Sequence, residues 1–203
     1  MSYDIYLKDP ATNETLDLPF KHTMTGGTYA ADYDPNTDTW RPRPISEAHL
    51  NITYNYSKYY DEATDKDPRF AHDEVSCYYA DGTTGDIVTE YGIRGIYGKT
   101  GADSISMLND MVSRIRNKYY DGKEWITTDD TERKYFNSNG QEIDFHTYLD
   151  LDENSRSAEE FPVKKYEGET SNYWQPTAAN AIKALLKLLT FAKLRPDGVW
   201  GGD

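Results

Sequence analysis

Ala178-Ala-Asn-Ala-Ile-Lys-Ala-Leu-Leu-Lys-Leu-Leu-Thr-Phe-Ala-Lys-Leu194 carries apolar residues at the three- and four-residue spacing of an amphipathic helix. Ala178, Ala181, Ile182, Leu185, Leu186, Leu189 and Ala192 form a broad apolar face, and Lys183, Lys187 and Lys193 lie away from most of it. Thr177, after Pro176, supplies a side-chain oxygen for the first amides, and Pro196-Asp197-Gly198 stops the helix. A second stripe, Ile105, Leu108, Met111, Val112 and Ile115, predicts a helix over Asp103–Asn117. A helix with one such face must bury it against another layer.

That layer is predicted to be an antiparallel sheet. Tyr3, Ile5 and Leu7 alternate with Asp4, Tyr6 and Lys8; a turn over Asp9–Glu14 leads to Leu16 and Leu18. Leu50, Ile52, Tyr54 and Tyr56 give a second half-buried strand, closed by a helical turn at Tyr59–Glu62. Three turn dipeptides predict hairpins, because Asn-Gly and Asp-Gly adopt the positive φ that tight turns need. Asp81-Gly82 separates Val75–Tyr79 from Ile87–Tyr91, Asp121-Gly122 separates Lys118–Tyr120 from Glu124–Thr127, and Asn139-Gly140 separates Tyr135-Phe136 from Ile143–Phe145. Residues 21–45, with Gly26-Gly27 and three prolines, read as loop with a short strand around Thr28-Tyr29-Ala30, and residues 150–172 read as an exposed acidic loop. The fold class is therefore α+β: one domain over 1–203, an antiparallel sheet with hairpins packed against two principal amphipathic helices, with exposed excursions near 61–86 and 119–170.

With 203 residues, 37% hydrophobic, and a mean hydropathy of −0.86, the chain relies on aromatics for its core: 18 Tyr, 6 Phe and 4 Trp. A single cysteine, Cys77, excludes an intrachain disulfide, and the start lacks the basic and apolar regions of a signal peptide, so a cytoplasmic setting is expected. No membrane partner is expected, since the apolar stretch 178–194 is interrupted by lysines. The net charge of −13 argues against direct DNA binding. Its distribution is two-signed: residues 1–90 carry 17 acids and 7 bases, and 121–170 carry 14 and 6, whereas the two helical segments are net positive.

Gly92-Ile-Arg-Gly-Ile-Tyr-Gly-Lys-Thr-Gly101 comes closest to a named motif. A P-loop needs its first glycine at position 93, which is Ile93, and the helix is predicted to begin after the Gly-Lys-Thr. The same residues suit an anion nest without hydrolysis. Arg94, Gly95, Gly98, Lys99, Thr100 and Gly101 would place backbone N–H groups, two cations and a hydroxyl at a helix N-terminus, to hold a nucleotide or other phosphate-bearing ligand.

Asp32-x-Asp34-x-Asn36-x-Asp38 and Asp150-x-Asp152-x-Asn154 alternate oxygen ligands but lack the glycine and glutamate of a calcium loop, and read as solvated turns. His22, His49, His72 and His146 show no metal-ligand spacing, and His72-Asp73-Glu74 cannot place three consecutive side chains on one strand face. Cys77, between Val75 and Tyr79, reads as a buried, inert thiol. No catalytic residue, metal or cofactor is assigned.

Asn51-Ile-Thr-Tyr-Asn-Tyr56, the Gly92–Gly101 stretch, and Tyr173-Trp174 through Arg195-Pro-Asp-Gly-Val-Trp200 together resemble a group of small acidic proteins encoded by phages and mobile elements of Gram-positive bacteria. The resemblance covers about half the chain. It implies a genomic setting and no catalytic residues, since the group has no assigned activity. The function expected is that of a non-enzymatic binding protein, an accessory factor that modulates or inhibits a host function such as host defence, with a host protein as partner. The alternatives are an acidic nucleic-acid mimic and an enzyme acting on nucleotides or nucleic acid.

Overall fold

The computed structural model describes residues 2–24, 30–80 and 82–203. In chain order, strands β1 (Ser2–Lys8), β2 (Asp17–Thr23), β3 (Ala31–Asp34), β4 (Thr39–Pro42), β5 (Pro44–Glu47) and β6 (His49–Thr53) precede helix α1 (Ser57–Thr64). The hairpin β7 (Ala71–Val75) and β8 (Ile87–Tyr91) leads to α2 (Gly101–Tyr119). Then come β9 (Thr127–Asn137), β10 (Glu142–Ile143), α3 (Phe145–Asp150), β11 (Arg156–Tyr166), α4 (Ala178–Leu194) and β12 (Val199–Gly202). The class is α+β, with antiparallel sheets and hairpins around the two long helices.

The centre is a three-stranded antiparallel sheet in the order β12-β1-β6. Alternation in β1 sends Tyr3, Ile5 and Leu7 inward, and its pairing of Ile5 with Leu50 and of Leu7 with Trp200 puts large apolar side chains side by side. Against these lie α2, through Met107, Leu108, Met111 and Ile115, and α4, through Ala181, Leu185, Leu188 and Ala192. The two helices also pack on each other. Trp200 is fully buried because its indole N–H has an acceptor, Ser104 Oγ of α2, at 2.7 Å.

The remaining strands form separate ribbons, β2 with β5, β3 with β4, β7 with β8, and β9 between β10 and β11, of which β2 sends Leu18 into the core. The exposed acidic loop expected over 150–172 is a correction. Residues Arg156–Tyr166 form β11, which pairs with β9 along its whole length and makes an arm of roughly 36 Å. Likewise 21–45 is not loop throughout, since β3 and β4 lie within it and β5 begins at Pro44. Gly26-Gly27, Thr28 and Tyr29 lie outside the described residues, as does Asp81 of the Asp81-Gly82 turn. That hairpin still forms, with Val75 opposite Ile87, and Asn139-Gly140 joins β9 to β10. At Asp121-Gly122, by contrast, the first arm is the end of α2, and a single bridge, Tyr120 to Trp125, closes the turn. The strand read through Tyr54 and Tyr56 ends at Thr53, where the side chain accepts from Asn55 N and starts a 3-10 turn that runs into α1.

Cys77 is a further correction. It is only half-buried, beyond the paired part of β7 and β8, where Tyr78 and Tyr79 face solvent rather than core. Among the described residues no helix is long and apolar enough to cross a membrane.

Three fully buried tyrosines bind α1 to the start of α4. The Tyr56 hydroxyl donates to the Tyr173 carbonyl, Tyr59 reaches Glu167 and the Pro176 carbonyl, and Tyr60 donates to the Ala181 carbonyl at 3.2 Å. Burial raises the pKa of all three, so each stays a donor. Leu185, with no exposed surface, packs in this same core. Leu185→Ala should destabilise the protein by about 2–5 kcal/mol in a denaturant titration, as expected for a cavity in a tightly packed site. An unchanged midpoint would place that face outside the core.

Candidate functional site

Helical spacing puts Ser57 and Asp61 one turn apart on the same side of α1. Opposite them, the register of the β7–β8 hairpin pairs His72 with Glu90, and Glu74 lies two residues further along the same face. Asp73, pointing the other way, is within 3.4 Å of the Thr89 hydroxyl. Together with Tyr3, Gly92, Ile93 and Arg94, these side chains enclose a cleft of about 160 Å³.

The cleft is crowded with like charge. Asp61, Glu74 and Glu90 face it, with Arg94 as the one guanidinium among the described residues that line it. Arg94 is already engaged: Nη1 donates to Glu74 Oε1 at 2.6 Å, Nη2 to the Tyr54 hydroxyl at 2.7 Å and Nε to the Asp203 carbonyl at 3.1 Å. Its planar group also lies over the rings of Tyr3 and Tyr54. Among the described residues neither Asp61 nor Glu90 has a Lys or Arg partner. Desolvation, with repulsion from Glu90, therefore pushes the Asp61 carboxyl up from 3.8 to about 6, while His72 acts in the opposite direction. His72 Nδ1 lies 3.1 Å from the Phe70 carbonyl and Nε2 3.5 Å from Glu74 Oε2, so a protonated ring would find an acceptor on each side. Tyr3 and Ser57 share a hydrogen bond of 2.6 Å at the edge of the cleft.

Of the residues expected to form an anion nest, only Arg94 belongs to this cleft. The others build the junction between the core and α2. Gly95 packs against Phe70 so closely that a Cβ would lie 2.4 Å from its backbone, and Gly101 meets the Arg195 carbonyl in the same way. Gly98 turns the chain at φ 76° and donates to the Trp200 carbonyl. Lys99 donates its amide to Ile96 and accepts from Trp200 N. Thr100 caps α2, accepting from Asp103 N and donating to Asp103 Oδ2. The first four amides of α2 thus all have acceptors within the chain: Gly198 O for Gly101, Pro196 O for Ala102, Thr100 Oγ1 for Asp103 and Thr100 O for Ser104. The helix N-terminus expected to receive an anion is closed by the protein's own oxygens.

The alternating acids are similarly used. Asp34 pairs with Arg41 at 2.8 Å and accepts from Asn36 N, Asp38 accepts from the Tyr33 hydroxyl, and Asp152 caps a turn at Asn154. No group of His, Cys, Asp and Glu among the described residues is arranged to hold a metal ion.

Sequence reasoning passed over Asp61 and Glu90, and weighed His72 and Glu74 only as neighbours. The Asp81-Gly82 turn signalled the hairpin but not its register, since a two-residue turn there would set His72 against Tyr91, one residue from the observed partner Glu90. Comparison with protein-family models, curated proteins and solved structures finds no match to the chain.

Folding raises the Asp61 pKa, so the folded state holds this proton more tightly than the unfolded chain. Asp61 therefore costs the fold nothing below about pH 4, costs more as pH rises to about 6, and has a constant cost above that. Thermal midpoints of wild type and Asp61→Asn should coincide at pH 4, with the variant higher at pH 7.5. A variant less stable at pH 7.5 would contradict this electrostatic reading.

Proposed function

We propose that the protein is a non-enzymatic binding protein that receives a basic side chain of a partner protein in the cleft between α1 and the β7–β8 hairpin. The observation that carries this reading is the unbalanced charge of the cleft, where three carboxylates surround a space whose guanidinium is already committed to one of them. A lysine or arginine end group arriving between Asp61 and Glu90 would replace repulsion by attraction at a site already partly desolvated. A volume of about 160 Å³ suits one side-chain end group and falls below the usual range for drug-sized ligands.

The surroundings support a protein partner. Beyond the cleft, the same hairpin exposes Tyr78, Tyr79 and Ile87, which are 79%, 56% and 71% accessible. Large exposed side chains beside a charged pocket form the mixed surface that protein interfaces use. In the phage or mobile-element setting that the sequence resemblance suggests, the partner is a host protein, and binding modulates its function. Nucleic-acid mimicry has less support, because carboxylates along the arm are balanced by bases rather than left in a bare row. Asp129 pairs with Lys164, Asp130 with Lys165, Glu160 with Arg133 and Glu142 with Lys134.

Nuclear magnetic resonance titrations with the amides of N-acetyl-arginine and N-acetyl-lysine test this reading. Saturable shifts at His72 and Gly92 are expected at pH 7.5, weaker at pH 5 where Asp61 is protonated, and lost in Asp61→Asn/Glu90→Gln. Shifts elsewhere only, or the same affinity in the double variant, would refute it.

A further inference from the structure

We propose that a second cleft, between the first half of α4 and the loop 169–173, binds a small molecule carrying a phosphomonoester. Lys183 and Lys187 lie one turn apart on α4 and border a cavity of about 220 Å³. Buried Ala184 lies between them, and Thr170, Ser171 and Tyr173 line the loop side. Neither lysine has a carboxylate within 4 Å among the described residues. The same holds at Lys8, Lys21, Lys58, Lys99, Lys123 and Lys193, so what distinguishes Lys183 and Lys187 is that the two border one cavity. Two neighbouring ammonium groups at a concave surface, one of them half-buried, repel each other, and an anion placed between them would relieve that repulsion.

The site is rigid before any ligand arrives. Asn180, almost fully buried, donates from Nδ2 to the Asn172 carbonyl at 2.9 Å and to the Gln175 carbonyl at 3.1 Å, fixing the loop to the helix. The Thr177 hydroxyl donates to the Glu169 carbonyl at 2.6 Å. Tyr173 is fixed at its far end, where its hydroxyl donates to Asn51 O and accepts from Thr53 N. Pre-formed walls lower the cost of ordering a ligand. The loop's own acid, Glu169, accepts from Ser171 N at 2.6 Å and from the Ser171 hydroxyl, and borders the groove along β9 and β11.

The chemistry selects the ligand class. Lys187 is half-buried, and burial together with the charge of Lys183 lowers its pKa; its Nζ makes one long contact, 3.4 Å to the Thr23 carbonyl. A group with two negative charges relieves both the burial and the mutual repulsion, whereas a carboxylate supplies one charge. Two ammonium groups and the Thr170 hydroxyl match the three terminal oxygens of a phosphate, the Ser171 hydroxyl being engaged by Glu169. The cavity exceeds a bare phosphate, and the Tyr173 ring with Ala184 offers an apolar surface for a small body attached to it. This assignment is independent of the acidic cleft, and it moves the phosphate-bearing ligand from the Arg94–Gly101 loop to α4.

Calorimetric titration of the full chain with phenyl phosphate, benzoate and a phosphotyrosyl peptide, at low salt, tests it. Phenyl phosphate should bind more tightly than benzoate, and the peptide no more tightly than phenyl phosphate. Lys183→Met/Lys187→Met should weaken phenyl phosphate at least ten-fold while the thermal midpoint holds or rises, since a desolvated charge has been removed. Lys193→Met, an exposed change on the same helix, should leave the affinity as it was. No heat with phenyl phosphate, equal binding of benzoate, or unchanged affinity in the double lysine variant would overturn the proposal. A peptide binding ten-fold more tightly would overturn its assignment to a small molecule.

Discussion

A carboxylate with no exposed surface, that of Glu167, is the interaction on which the architecture depends. Its Oε2 accepts from Ala178 N, the first residue of α4, at 2.9 Å and from the Tyr59 hydroxyl of α1 at 2.8 Å. Oε1 accepts from the Thr128 hydroxyl of β9 at 2.7 Å, with Lys165 Nζ of β11 3.8 Å away. Burying an ionised carboxylate costs several kcal/mol unless its oxygens are fully partnered. Here the partners include the positive end of a helix, where a negative charge is stabilised. The backbone of the same residue continues the connection, donating to Ile126 O and accepting from Ala179 N. One residue therefore ties the arm, α1 and α4 together.

Both clefts inherit their shape from that junction. Ser57 and Asp61 stand on the helix whose tyrosines reach the start of α4, so the acidic cleft keeps its geometry only while α1 is held there. The loop beside Lys183 and Lys187 is held by Asn180 of α4 and by the hydroxyl of Tyr56, in the turn that leads into α1, on the Tyr173 carbonyl. Binding energy at either site need not order its walls first. The aromatic-rich, weakly hydrophobic composition acquires a physical meaning here: tyrosine fills volume and, with its hydroxyl, satisfies carbonyls that a leucine would leave unpaired.

Sequence reading found what a one-sided environment imprints. The stripe of α4, the stripe of α2 and the alternation of β1 each record a single buried face, and all three elements form where they were expected. β11 left no such record, because both faces of the arm meet solvent along most of its length and Pro162 interrupts the pattern of a strand. β12 was hidden by brevity, with Trp200 its one fully buried apolar side chain. The glycines at 95 and 101 looked like ligand contacts; the neighbours that need them, Phe70 and Arg195, are distant in sequence. The acidic cleft was illegible for a related reason, since Asp61 meets Glu90 through register and packing. Glu167 itself is one acid among 14 in residues 121–170, and only the fold distinguishes it.

The most direct test of this account is a double-mutant cycle on Tyr59→Phe and Glu167→Gln, read by equilibrium chemical denaturation. If the buried carboxylate organises the junction, Glu167→Gln alone should cost about 1–3 kcal/mol, the range for leaving buried donors without their acceptor. The two changes together should then cost less than their sum by about 1 kcal/mol or more, since both remove the same hydrogen bond. A loss for Glu167→Gln within about 0.5 kcal/mol of zero, with strict additivity, would contradict it.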